Sequence, residues 1–178
     1  KEMENAYLKK PYDTLKVYNS VLNMYNYFLK CDELAQTPNE KGKVKNKYRK
    51  ANAATMIAER SNLINGGIQY FNLYKNKEAL SFFAAYVDSS THPIFEKENF
   101  VETNRYKAEL LKLKGFLEQK IAKFPEVAKE ITVDLNIVSN EINAVNSISR
   151  LEKQEEKAGK EDVQLNVNDE DLYQDANQ

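Results

Sequence analysis

The sequence of 178 residues has no tryptophan, one cysteine (Cys31) and one histidine (His92). A lone thiol cannot close an internal disulfide or build a cysteine-based zinc site, and a lone imidazole leaves most metal and acid–base constellations without members. Composition therefore argues against an enzyme, a metal centre and a bound cofactor. Charge of one sign is also lacking: 26 Lys and Arg stand against 27 Asp and Glu, for a net charge of -1. Such a balance supplies no long-range attraction to nucleic acid or anionic lipid. No apolar run approaches the roughly 18 residues of a spanning helix, so membrane insertion is not expected. No basic head followed by an apolar run and a small-residue cleavage site opens the sequence, and the compartment is left open. Glycine (5) and proline (4) are scarce, and alternating polar and apolar runs bounded by turn residues are hard to find. The chain is expected to be nearly all helix.

What is present supports that expectation. With 42% hydrophobic and 30% charged residues the chain has the composition of a globular domain. From Tyr12 to Leu34, Leu15, Tyr18, Leu22, Tyr25 and Leu29 recur at spacings of three and four, and Val21 and Phe28 widen the stripe. Pro11, Asp13 and Thr14 supply its start, since an Asp or Thr oxygen accepts orphan amide hydrogens of a first turn. Thr37, Pro38, Asn39 and Gly42 stop it. The run from Lys41 to Lys50 carries six basic residues and no acid, and reads as a loop leading into an alanine-rich helix at Ala51 to Ala58. Leu63 to Tyr74 and Glu78 to Val87 read as a helical hairpin closed by His92-Pro93.

A further helix is expected from about Thr103 to Lys123, with Tyr106, Leu110, Leu113, Leu117, Ile121 and Phe124 in phase. After Pro125, the residues Val127, Ile131, Leu135, Val138, Ile142, Val145, Ile148 and Leu151 keep the rhythm as a narrow seam suited to a helical partner. Glu152 to Asp175 holds nine acids and three bases with few apolar residues, which predicts a disordered tail.

Leu63, Gly67, Tyr70, Ala79, Phe83 and Pro93 follow one another as in a tetratricopeptide repeat, where small residues let two antiparallel helices approach and large ones fill the space between them. Over residues ~15–102 the chain resembles tetratricopeptide-repeat-like proteins of the Bacteroides type. The resemblance implies an all-α fold of antiparallel helix hairpins: a tetratricopeptide-like α-solenoid fragment at 1–102, a C-terminal helical hairpin or cap at 103–151, and the acidic tail at 152–178. It also implies that the first helix of the pair lines a concave side. Ser61, Asn65, Ile68, Gln69 and Asn72 would then face a bound peptide, whose backbone amide side chains can both donate to and accept from.

The other chemistry-bearing residues have plainer readings. The basic run, with Tyr48 interleaved, lacks a second basic cluster and is expected to be a solvated loop rather than a phosphate-backbone site. Cys31 precedes two acids, Asp32 and Glu33, rather than the basic neighbours of a reactive thiol, so a packing or surface role is expected. His92 reads as a loop residue. Asn65-Gly66-Gly67 lacks the lysine and spacing of a nucleotide-binding loop and reads as a helix contact. The function expected is a non-enzymatic protein- or peptide-binding scaffold using a groove between helices. The alternative is a structural module that self-associates, as a homo-oligomer, through the 127–151 helix.

Overall fold

A computed structural model describes residues 2–174, and describes the side-chain surroundings of residues 2–157 other than Met3. The described residues form helices α1 (Glu2–Tyr7), α2 (Thr14–Ala35), α3 (Arg49–Asn72), α4 (Asn76–Ser89), α5 (Arg105–Lys123) and α6 (Ala128–Gln174), with short 3-10 turns at Pro93–Phe95 and Pro125–Val127. No strand occurs among the described residues. The chain divides into two compact units, residues 1–138 and 139–178. Among the described residues, the buried apolar side chains other than Ile142 lie in the first.

Local chemistry accounts for the helix ends. Asp13 caps α2 by accepting the Lys16 amide at 3.1 Å, as the sequence predicts. His92 caps the 3-10 turn through Nδ1, which accepts the Ile94 amide at 3.1 Å. The alanine-rich and Leu63 to Tyr74 segments are one continuous helix, α3, because nothing between Ala58 and Leu63 breaks it and Asn65-Gly66-Gly67 lies inside it. Helix α6 continues to Gln174, into the segment from residue 152 for which the sequence predicts a disordered tail. Glu, Lys, Gln and Ala are good helix formers, and extending an existing helix adds one hydrogen bond per residue ordered. Residues 175–178 lie outside the described residues.

Within the series α2 to α5 each helix packs on the next, α2 on α3, α3 on α4 and α4 on α5, and α2 also touches α4. Along this series successive helices run antiparallel. Tyr18 meets Gly66, and Asn19 Nδ2 donates to Tyr70 Oη at 2.7 Å, while further along Tyr25 donates to the Met56 carbonyl. Between α3 and α4, Tyr70 and Phe82 stack at 5.5 Å and Phe71 and Phe83 at 5.2 Å, and Arg60 reaches Ser89 at the far end. Between α4 and α5, Asn76 donates to Glu118 at 3.0 Å and Lys112 to Asp88 at 3.3 Å.

Glycine sets the spacing of this packing. A Cβ at Gly67 would stand 2.5 Å from the Phe83 ring, and one at Gly66 would stand 2.6 Å from the Phe82 ring and 3.0 Å from Tyr18 Cβ. At Gly115 it would stand 2.8 Å from Phe71, so α5 leans on α3 as well as α4. Leu63, Ala79 and Phe83 are fully buried around this approach and Tyr70 is buried beside it, the arrangement its residue pattern predicts.

Buried polar groups tie the ends together. The Arg60 side chain, 5% exposed, bonds Glu102 through Nε at 2.7 Å, Ser89 through Nη1 at 3.0 Å and the Tyr86 carbonyl through Nη2 at 2.8 Å. Its guanidinium lies 4.0 Å over the Tyr86 ring and 5.2 Å from that of Phe100. Glu102 also accepts the Tyr86 hydroxyl and, at 2.9 Å, the Asn104 amide. Burial, followed by donation to Glu102, holds the Tyr86 phenol far above its ordinary value, and burial pushes Tyr25 up to about 12 against the opposing influence of Arg60.

Both phenols stay protonated in the fold where an unfolded chain ionises near 10.0. Above that pH the unfolded state loses protons that the folded state keeps, so their stabilising contribution is complete below about pH 10 and falls as the pH climbs toward 12. Urea midpoints measured at pH 9, 10.5 and 11.5 are expected to drop steeply, and Tyr25→Phe is expected to shallow the decline. An unchanged slope in that variant would show that Tyr25 titrates alike in both states.

Candidate functional site

Because α2, α3 and α4 touch one another pairwise, the free face of α3 points away from the α2–α4 pair. Ser61, Asn65 and Asn72 are exposed and Ile68 and Gln69 half-buried, with Ser61, Asn65, Ile68 and Asn72 in line along one side of α3. None of the five lines the depressions that flank α4. The first of these, about 360 Å³, lies between Leu22, Asn26 and Leu29 of α2 and Ser81, Ala84, Ala85 and Asp88 of α4. Its wall contains no residue of α3.

A second groove, of about 430 Å³, runs between α4 and α5 and is far more apolar in character. Leu80, Ala84 and Val87 come from α4, and Leu113 and Phe116 from α5, with Glu109 and Lys112 at the rim. Leu113 is 44% and Phe116 49% exposed, so two large side chains face solvent where the helices could cover them. Their exposure follows from register. Ala108, Leu111 and Gly115 lie on the face of α5 turned inward, with Leu110 and Leu117 buried at its edges. Leu113 and Phe116 lie a turn apart on another face, in line with Glu109 and Lys120.

Two further regions hold charged groups. Asp32, buried in α2, pairs with Arg49 at 3.2 Å and accepts Asn46 Nδ2 at 3.0 Å, which ties the basic segment to the α2 terminus. Glu33, its neighbour, pairs with Lys30 at the surface, so the two carboxylates point apart. The remaining lysines at 41, 43, 45, 47 and 50 are exposed, and an open depression of about 940 Å³ lies between Arg49, Lys50, Lys97 and the Pro93-Ile94 turn. Cys31 is exposed. No group of three His, Cys, Asp or Glu side chains among the described residues is arranged to hold a metal ion.

No family model, curated protein or solved structure matches the chain. The site is therefore read from its own geometry. Sequence reasoning passes over the groove because Leu113 fits the same rhythm as Leu110 and Leu117, which sets it down as core. The signal that marks it is the surplus of large apolar residues on α5: Leu110, Leu111, Leu113, Phe116 and Leu117 span more than one face can bury. Arg60 is passed over for the opposite reason. It occupies the buried rhythm of Ala53, Met56, Leu63, Gly67 and Tyr70, where a charge marks an internal ion pair.

No helix of the described residues is long and apolar enough to cross a membrane.

Proposed function

We propose that the chain is a non-enzymatic scaffold that binds a protein or peptide in the groove between α4 and α5. The observation that carries this reading is the exposure of Leu113 and Phe116 above an apolar wall of Leu80, Ala84 and Val87. Burial of such side chains by an anchor supplies affinity, and rim charges supply orientation. The order of packing supports a tetratricopeptide-like arrangement with a shifted phase. Hairpins α2–α3 and α4–α5 are related by the α2–α4 contact and by the seat of Phe71 against Gly115. In such a stack the exposed side of the last hairpin is where a further helix docks.

A display library of amphipathic peptides panned on the chain tests this. Selected peptides should share apolar anchors at helical spacing and bind the L113D/F116D variant about ten-fold or more weakly, since both substitutions put a carboxylate into the apolar wall. Both positions are solvent-facing, so the variant is expected to fold. A selected pool that binds the variant as well as the parent contradicts the reading.

A second reading, self-association through the 127–151 helix, is favoured by one observation. Val133 and Ile137, one turn apart on α6, are exposed, as are Ile148 and Leu151 further along it.

A further inference from the structure

The groove between α4 and α5 is chemically different at its two ends. At one end every charged group near the rim is engaged: Lys112 pairs with Asp88 at 3.3 Å and Arg105 with Glu109 at 2.8 Å. The other end carries Lys77, in line with Leu80, Ala84 and Val87 on α4, and Lys120, in line with Leu113 and Phe116 on α5. The Asn76–Glu118 hydrogen bond brings these two helix ends together. Lys120 lies 4.9 Å from the Phe116 ring, at the margin of the apolar wall. Among the described residues neither lysine has an acidic partner; the nearby carboxylate of Glu118 is taken up by Asn76 and Lys114, leaving Glu78 alone in the first turn of α4.

We infer that the occupant of this groove is an amphipathic helix of a partner protein with an acidic first turn, lying parallel to α4 so that its N-terminus meets Lys77 and Lys120. The inference rests on the groove being the binding site and adds the partner's chemistry and direction. The packing order gives the direction, and the two lysines give the chemistry of the end that meets them. α2 and α4 run parallel and touch, with α3 antiparallel beside both, so a helix that continues this order runs parallel to α4 and antiparallel to α5. With its N-terminus at Lys77 and Lys120, the helix needs acidic side chains in its first turn, which offset its own dipole and meet the two lysines. The apolar stripe of that helix needs anchors at i, i+3 or i+4, and i+7 to follow Leu80, Ala84 and Val87.

The test uses the full chain and synthetic peptides about 14 residues long, roughly four turns, labelled for fluorescence anisotropy. One peptide carries Leu anchors with Glu-Glu in its first turn, a second has the same anchors with Glu-Glu in its last turn, and a third has Lys-Lys in its first turn. Rim pairs are individually weak, so the first is expected to bind about three- to ten-fold tighter than either of the others, and this margin should shrink with added salt. The K77E/K120E variant should reverse the order in favour of the third peptide. If all three bind the parent equally, and all lose affinity on L113D/F116D, the groove reading stands and the acidic, oriented partner is overturned. If none binds and the parent, but not L113D/F116D, sediments as a concentration-dependent dimer, a second copy is the occupant and the inference fails. If none binds a monomeric parent, both readings fail.

Discussion

Arg60→Ala is expected to lower the stability of the fold by about 3–5 kcal/mol, the range found when one partner of a buried ion pair is removed. The loss comes less from the missing attraction than from what stays behind. Glu102, 15% exposed, would retain the Tyr86 hydroxyl and the Asn104 amide but no cation, and Ser89 and the Tyr86 carbonyl would each lose a donor. The Tyr86 and Phe100 rings would also lose the guanidinium packed against them. On thermal unfolding this corresponds to a fall on the order of 10 °C for a domain of this size. The double variant R60M/E102M, which removes both charges and keeps volume, is expected to cost less than Arg60→Ala alone. Equal losses would show that the stranded carboxylate is not the source.

The second large effect belongs to the glycine contact between α3 and α4. Phe83 is fully buried with its ring edge against Gly67, and Phe83→Ala is expected to cost about 3–5 kcal/mol through lost contacts and the cavity left. Gly67→Ala in the parent is also expected to destabilise, by about 1–2 kcal/mol. Alanine gains about 1 kcal/mol of helix propensity, but its Cβ would stand 2.5 Å from a ring with no room to retreat, and overpacking costs about 1–3 kcal/mol or more. In the Phe83→Ala background that obstruction is gone. There Gly67→Ala should turn stabilising, because only the propensity gain remains. A cycle measured by urea denaturation that shows additive losses would mean the two residues do not constrain each other.

How far these features are legible in the sequence depends on the residue. The helix-length rhythms of α2, α4 and α5 were open to reading because one side of each is buried, and burial at 3.6-residue spacing is what a pattern of apolar residues records. The small residues at Gly67 and Ala79 were legible for the same reason. On α2 the buried line is Val17, Val21, Tyr25 and Asp32 rather than the stripe centred on Leu15, Tyr18 and Leu22, because two flanking helices share that side. Leu113 illustrates the limit: a sequence shows that a residue is apolar and in phase, whereas only packing shows whether a partner helix covers it. Asp32 and Arg60 illustrate the converse, as charged residues whose burial depends on Arg49 and Asn46, and on Glu102, in separate segments.

The most direct test of the account is where a bound helix touches the chain. With methyl-labelled protein and the peptide whose first turn is acidic, the account predicts that the methyl resonances of Leu80, Val87 and Leu113 shift on titration, while those of Ile68 and Ile57 on α3 stay in place. Shifts centred on Ile68, with Leu80 and Leu113 unmoved, would put the binding surface on the face of Ser61, Asn65 and Asn72 and contradict the α4–α5 groove.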